Sequence, residues 1–152
     1  MRYNSNMGAI LNSEKAAEII SNQQPIDRLA VERVKKALES KGVILAQSED
    51  IDRNLISRGV EAVVLDPGDT IFMHTNVSAS GFFEELIHYG QIKSKRFTMN
   101  SPIDVTMMEI EAQERLIKYK KSYKIPEYEI AVLTENLRYY KIRLRKLLEG
   151  GF

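Results

Sequence analysis

A chain of 152 residues with 43% hydrophobic content can bury one ordinary core and reads as a single domain over 1–152. Its 22 basic and 21 acidic side chains leave a formal charge of +1, so no global field favours nucleic acid or an anionic membrane. With no cysteine, disulfide frameworks, thiolate-held zinc, iron–sulfur clusters and cysteine nucleophiles are excluded. No apolar run approaches the roughly 20 residues that span a bilayer. The first residues lack the apolar core of a signal peptide. The default expectation is therefore a cytoplasmic protein, with export by a dedicated secretion system left open.

The pattern predicts helices first, a small central β region, then helices again: an α+β chain, mainly helical, with a small central sheet. Ser13 is the expected cap of a short helix through Ala16, Ala17, Ile19 and Ile20, which ends before Pro25. Asp27 caps a second helix with Ala30, Val31, Val34 and Leu38 on one side, stopped by Gly42. Val43-Ile44-Leu45-Ala46 fits a short buried strand, and Ser48 opens a brief helix through Ile51, Leu55 and Ile56. Val60 to Leu65 is the clearest strand. The turn Asp66-Pro67-Gly68-Asp69 then leads to its hairpin partner, Thr70 to His74. Ser78 or Ser80 caps the next helix. Beyond Pro102, long helical patterns cover Ile103 to Tyr123 and Glu127 to Leu148, parted by Ile125-Pro126. The basic tract from Tyr139 to Lys146 mixes cations with apolar spacing. It fits a helix face snorkelling around a core stripe better than a nucleic-acid patch.

The chemistry concentrates in Gly81-Phe82-Phe83-Glu84-Glu85-Leu86-Ile87-His88-Tyr89-Gly90-Gln91. At roughly 100° per residue, Ala79, Phe82, Phe83, Leu86 and Gly90 share one side of the helix. Glu84, Glu85, His88 and Gln91 share the other, a set suited to hold a metal or move protons, or else an ordinary solvated face. A following helix carries Glu109 roughly 50° from the centre of its apolar stripe and Glu111 about twice as far off. A carboxylate at the border of a buried face needs a partner or a metal, so Glu109 is the functional candidate and Glu111 is expected in solvent. A rim glutamate paired with a nearby Lys or Arg would look the same.

Together the strand, Asn76-x-Ser78-x-Ser80, Glu84-Glu85-Leu86-Ile87-His88-x-x-Gln91 and Glu109-x-Glu111-Ala112 resemble the small zincin-like metallopeptidase domains. Such domains occur in bacterial polymorphic toxins, in phage-associated proteins and in repressor-cleaving relatives. The resemblance covers about residues 60–116. It implies a hydrolase in which Glu84 takes the first metal-ligand place, Glu85 the general base, His88 the second ligand and Glu109 the third. His74, Tyr89 and Gln91 are further cleft candidates. The resemblance also implies a divalent cofactor, zinc first, and a protein or peptide substrate, with an immunity or assembly protein as a further partner.

This chain departs from the family's His-Glu-x-x-His in having Glu84 where the first histidine stands. One nitrogen and two oxygens weaken a zinc site and suit manganese or iron better. Two other classes stay open: a retired zincin-like fold acting as a binding or assembly protein, and a metal-independent nuclease toxin pairing His74 with Glu84 or Glu85. Met99, Met107 and Met108 are expected as core filler. Tyr119, Tyr123, Tyr128, Tyr139 and Tyr140 are expected at the core rim with their hydroxyls in water.

Overall fold

The computed structural model describes residues 3–4, 12–65 and 68–150, with side chains from residue 12 onward. Ten elements follow in order: β1 (Tyr3–Asn4), α1 (Ser13–Asn22), α2 (Arg28–Glu39), β2 (Ile44–Ala46), α3 (Glu49–Ser57), β3 (Ala62–Leu65), β4 (Thr70–Met73), α4 (Ala79–Ser94), α5 (Pro102–Lys118) and α6 (Glu127–Leu148). The fold is α+β and mainly helical, with a small mixed sheet. The expected turn residues Asp66 and Pro67 lie outside the described residues.

Most helix starts are set by a short polar side chain that takes up an orphan backbone N–H. Asp27, Ser48, Ser78 and Ser101 do this for α2, α3, α4 and α5. The cap of α1 is Asn12 rather than Ser13, because the Asn12 carboxamide already reaches the Lys15 amide at 2.8 Å. Helix α5 ends at Lys118, short of the expected Tyr123. The chain turns there through Lys124 at φ 53°, and the Ile125 amide bonds back to the Lys120 carbonyl.

The sheet order is β1-β3-β4-β2. β3 and β4 form the expected antiparallel hairpin, with Ala62 opposite Met73 and Leu65 opposite Thr70. β2 lies parallel to β4 and β1 antiparallel to β3. Successive strand residues point to opposite faces, and both faces are covered here. Val64 and Ile71 join Val31, Leu38, Leu45 and Phe82 in a core beneath α2 and α4. Val63 joins Leu55 and Val60 on the side of α3. The expected buried strand over residues 43–46 is buried only in alternation: Leu45 is inside, whereas Ile44 is largely exposed.

Helix α4 is the centre of the molecule. Phe82 packs it on the sheet, a burial of about 1.5–3 kcal/mol. Ala79 and Ile87 pack it on a second core with Ala112 and Leu116 of α5 and Ile130 and Leu133 of α6. Coverage from both sides leaves little solvent along α4. Its polar stripe is consequently inside: Glu84, Glu85, His88 and Gln91 are all buried, while Phe83, Leu86 and Tyr89 are half-buried and Gly90 is exposed. The expected amphipathic helix is thus turned with its polar side inward, against α5 and β3.

Candidate metal centre

The site begins at the N-terminus of α4. Ser78 caps the helix, and the Glu61 carboxylate accepts from the Ser78 amide at 2.8 Å. Gly81 is needed here, since a Cβ would lie 2.5 Å from the Glu61 Cδ. One turn onward, the i, i+4 spacing stacks Glu84 and His88 on one face. Helix α5 returns beside α4 and supplies Glu109. His88 Nε2 stands 3.0 Å from Glu109 Oε1 and 3.6 Å from Glu84 Oε2. One ligand atom from each of the three residues lies within 4.8 Å of the others. Bonds of about 2.1 Å to a tetrahedral ion give a ligand–ligand edge of roughly 3.4 Å, so side-chain shifts of about an ångström close the set.

The donor set fits a cation on a second count. Glu84 Oε2 and Glu109 Oε1 are buried, and among the described residues the group each of them meets is the His88 ring. Burial pushes the Glu84 carboxyl up to about 8, and the nearby Glu109 and Glu85 charges add to this against the opposing pull of His88. Burial lowers the His88 imidazole, but Glu109 and Glu84 more than reverse it and leave it well above its usual range. The cluster therefore holds protons that a divalent ion would displace. A buried Glu-His-Glu group able to hold a metal ion is what the structure shows.

Two of the three candidate ligands are oriented from behind. His88 Nδ1 lies 2.7 Å from Gln91 Oε1. The Gln91 Nε2 donates both to the Met108 carbonyl and to Glu111 Oε1, each at 3.0 Å, so its Oε1 is the acceptor. His88 Nδ1 then carries the hydrogen, and in the neutral ring Nε2 is left as the lone-pair atom facing the carboxylates. Glu111 is itself gripped by Arg96 in a two-point ion pair, whose hydrogen bonds hold its carboxyl below the ordinary range. On the other side, the Tyr140 hydroxyl donates to Glu109 Oε2 at 2.9 Å and leaves Oε1 toward His88. Burial, then the Glu109 charge, raises the Tyr140 phenol, so it stays a donor.

Several expectations change here. Glu109 is no rim glutamate with a Lys or Arg; its partners are His88 and Tyr140. Glu111 is half-buried in the Gln91–Arg96 chain rather than solvated. Gln91 enters the site as the partner of His88. Glu85 stays beside the trio, its charge felt by both Glu84 and His88, while its Oε1 accepts from the Val64 amide of β3 at 2.9 Å. His74 stands apart, its Nδ1 accepting from the Asn76 amide and 3.8 Å from Asp52, with burial lowering its pKa. Tyr89 packs on the core beneath the sheet. Met108 is core as expected, but Met107 is exposed.

Tyr140 also departs from expectation, since it is buried and not at a wet rim. The signal was there: Ile130, Leu133, Tyr140 and Leu147 form the buried stripe of α6, and a tyrosine inside such a stripe needs a partner for its hydroxyl. On the same helix the cations Lys141, Arg143, Arg145 and Lys146 are exposed around that stripe. Among the described residues no helix is long and apolar enough to cross a membrane. No protein-family model, curated protein or solved structure matches this chain.

Proposed function

We propose that the chain is a metal-dependent peptide-bond hydrolase of zincin-like type, with Glu84, His88 and Glu109 as the protein ligands of one divalent ion. The observation that carries this is the convergence of the three side chains from α4 and α5, with His88 Nε2 turned toward both carboxylates. Zinc is the first choice, and the oxygen-rich set also suits manganese or iron. A bound ion would supply Lewis acidity and a water of lowered pKa. Glu85 is the base of this reading: it neighbours the trio, is not needed as a ligand, and can accept a proton once its carboxylate leaves the Val64 amide.

The test combines metal and activity. Purified protein loaded with zinc should bind one ion per chain and cleave an unfolded protein substrate. His88→Ala should lose the ion, and Glu85→Gln should keep it and lose cleavage. Failure to bind zinc, manganese or iron at micromolar concentration would remove the reading.

A second reading is favoured by one observation, the near-complete burial of the trio, at 4% exposure for Glu84, 0% for His88 and 3% for Glu109. An ion so enclosed could clamp α4 to α5 in a binding or assembly protein. In that case zinc raises the melting temperature and no substrate is cleaved by any variant.

A further inference from the structure

A second pair of carboxylates, Glu61 and Glu129, sits at the N-terminal end of α4. Glu61 Oε1 accepts from Gln23 Nε2 at 2.9 Å and from the Ser78 amide and hydroxyl at 2.8 and 3.0 Å. Glu129 Oε1 accepts from the Ser80 amide and hydroxyl at 3.0 and 2.6 Å. Glu129 is only 7% exposed, and its second oxygen, Oε2, is buried with no hydrogen-bond partner among the described residues. Among the described residues no Lys, Arg or His forms an ion pair with either carboxylate. Burial raises the Glu61 carboxyl, and the charge of Glu129 adds to the effect despite the Ser78 and Gln23 hydrogen bonds.

Both carboxylates line a cavity of about 340 Å³ that reaches the ligand Glu84, with Ile19, Ile20, Val132 and Leu133 in its walls. That volume is at the lower end of the roughly 300–1,000 Å³ of small-ligand sites. A metal ion does not account for the pair, since among the described residues the cluster of metal-binding size is Glu84, His88 and Glu109 and includes neither residue. The serine contacts explain both oxygens of Glu61 and one oxygen of Glu129 as anchors on the helix start, where negative charge is favoured. They leave Glu129 Oε2 unexplained, because a buried acceptor without a donor is unfavourable.

We propose that this cavity is a side-chain pocket of the peptide substrate and takes lysine or arginine. The aliphatic stem lies against Ile19, Ile20, Val132 and Leu133, and the terminal cation meets the Glu129 and Glu61 carboxylates once the Glu129 side chain turns to present Oε2 to the cavity. A stem of methylenes ending in a cation matches apolar walls with an acidic floor. A purely apolar side chain leaves the Glu129 oxygen dry and unpartnered, and an acidic one is repelled. The inference rests on the hydrolase reading, since the cavity's nearness to Glu84 is what makes its occupant a substrate residue.

Calorimetry on the full zinc-loaded chain tests it. The probes are acetyl-Gly-Lys-Gly-amide and its norleucine analogue, which keeps the stem and lacks the ammonium. The lysine peptide should bind at least tenfold tighter. Glu129→Gln should erase that difference with zinc content unchanged. Val132→Lys, at an exposed wall position, should block the lysine peptide by placing a tethered ammonium in the pocket; it carries the test if Glu129→Gln does not fold. Equal binding of the two peptides, or a lysine preference that survives both substitutions, overturns the pocket. Lysine-selective binding without cleavage keeps the pocket and removes the hydrolase. Cleavage of unfolded protein without any lysine preference removes the pocket and keeps the hydrolase.

Discussion

His88 and Gln91 are locked together one turn apart on α4, Nδ1 to Oε1 at 2.7 Å, and this contact decides which imidazole nitrogen faces the two carboxylates. Because both Gln91 amide hydrogens are used on Met108 and Glu111, the carboxamide cannot flip without losing two bonds.

Replacing Gln91 by leucine should therefore keep the helix and loosen the ring. Partners behind a metal-ligating histidine are typically worth about 10–100-fold in affinity. Competition against a chelating dye should show a zinc dissociation constant weakened within that range. An unchanged constant would mean that the ring is held by packing alone.

Tyr140→Phe removes the one hydroxyl that meets Glu109 and leaves a buried carboxylate oxygen without its donor. The expected loss is about 1–3 kcal/mol in chemical denaturation of chelator-treated protein. Zinc-loaded protein should lose less, because the ion takes over the task of holding Glu109.

Chelator-treated protein should lose stability as pH rises. Glu84 has an ordinary value of 4.5 and is raised to about 8 in the fold. Between those values the folded state holds a proton that the unfolded state has released, so stability falls by up to about 1.4 kcal/mol per pH unit for that proton. Raised His88 acts with the same sign: its contribution is complete below pH 6.5 and is lost as pH climbs through its folded value. Zinc should reverse the trend, since its ligands must shed those protons. Titration in weak buffer near pH 7 should record proton release on zinc binding. A stripped protein more stable at pH 8 than at pH 5 would contradict this.

Gly81→Ala is expected to destabilise although alanine is the better helix former by about 1 kcal/mol. The new Cβ would meet the Glu61 carboxylate at 2.5–2.8 Å. Overpacking of this kind costs about 1–3 kcal/mol. In a Glu61→Ala background the same change should become neutral or favourable, which a double-mutant cycle of melting curves would read directly.

Much of this architecture was legible in local chemistry. Asp27, Ser48 and Ser78 cap helices where their side chains can reach an amide two or three residues on, which needs no tertiary contact. The β3–β4 hairpin follows from two apolar runs around a turn. Glu84 and His88 share a face in any α-helix, so two of the three residues of the candidate metal centre were set by spacing alone.

The rest lay in how the elements pack. Periodicity separates the two faces of α4 but does not say which one meets protein, and here both do, because the sheet lies on one side and α5 with α6 on the other. Only the register of α5 against α4 brings Glu109 to 3.0 Å from His88 and sends Glu111 to Arg96. Only the return of α6, 31 residues on from Glu109, brings the Tyr140 hydroxyl to it. Local spacing sets the helices, the hairpin and the Glu84–His88 pair, since those depend on neighbours within a turn or two. Packing sets the burial of the polar stripe and which distant carboxylate joins it, since contacts across helices are contained in no local pattern.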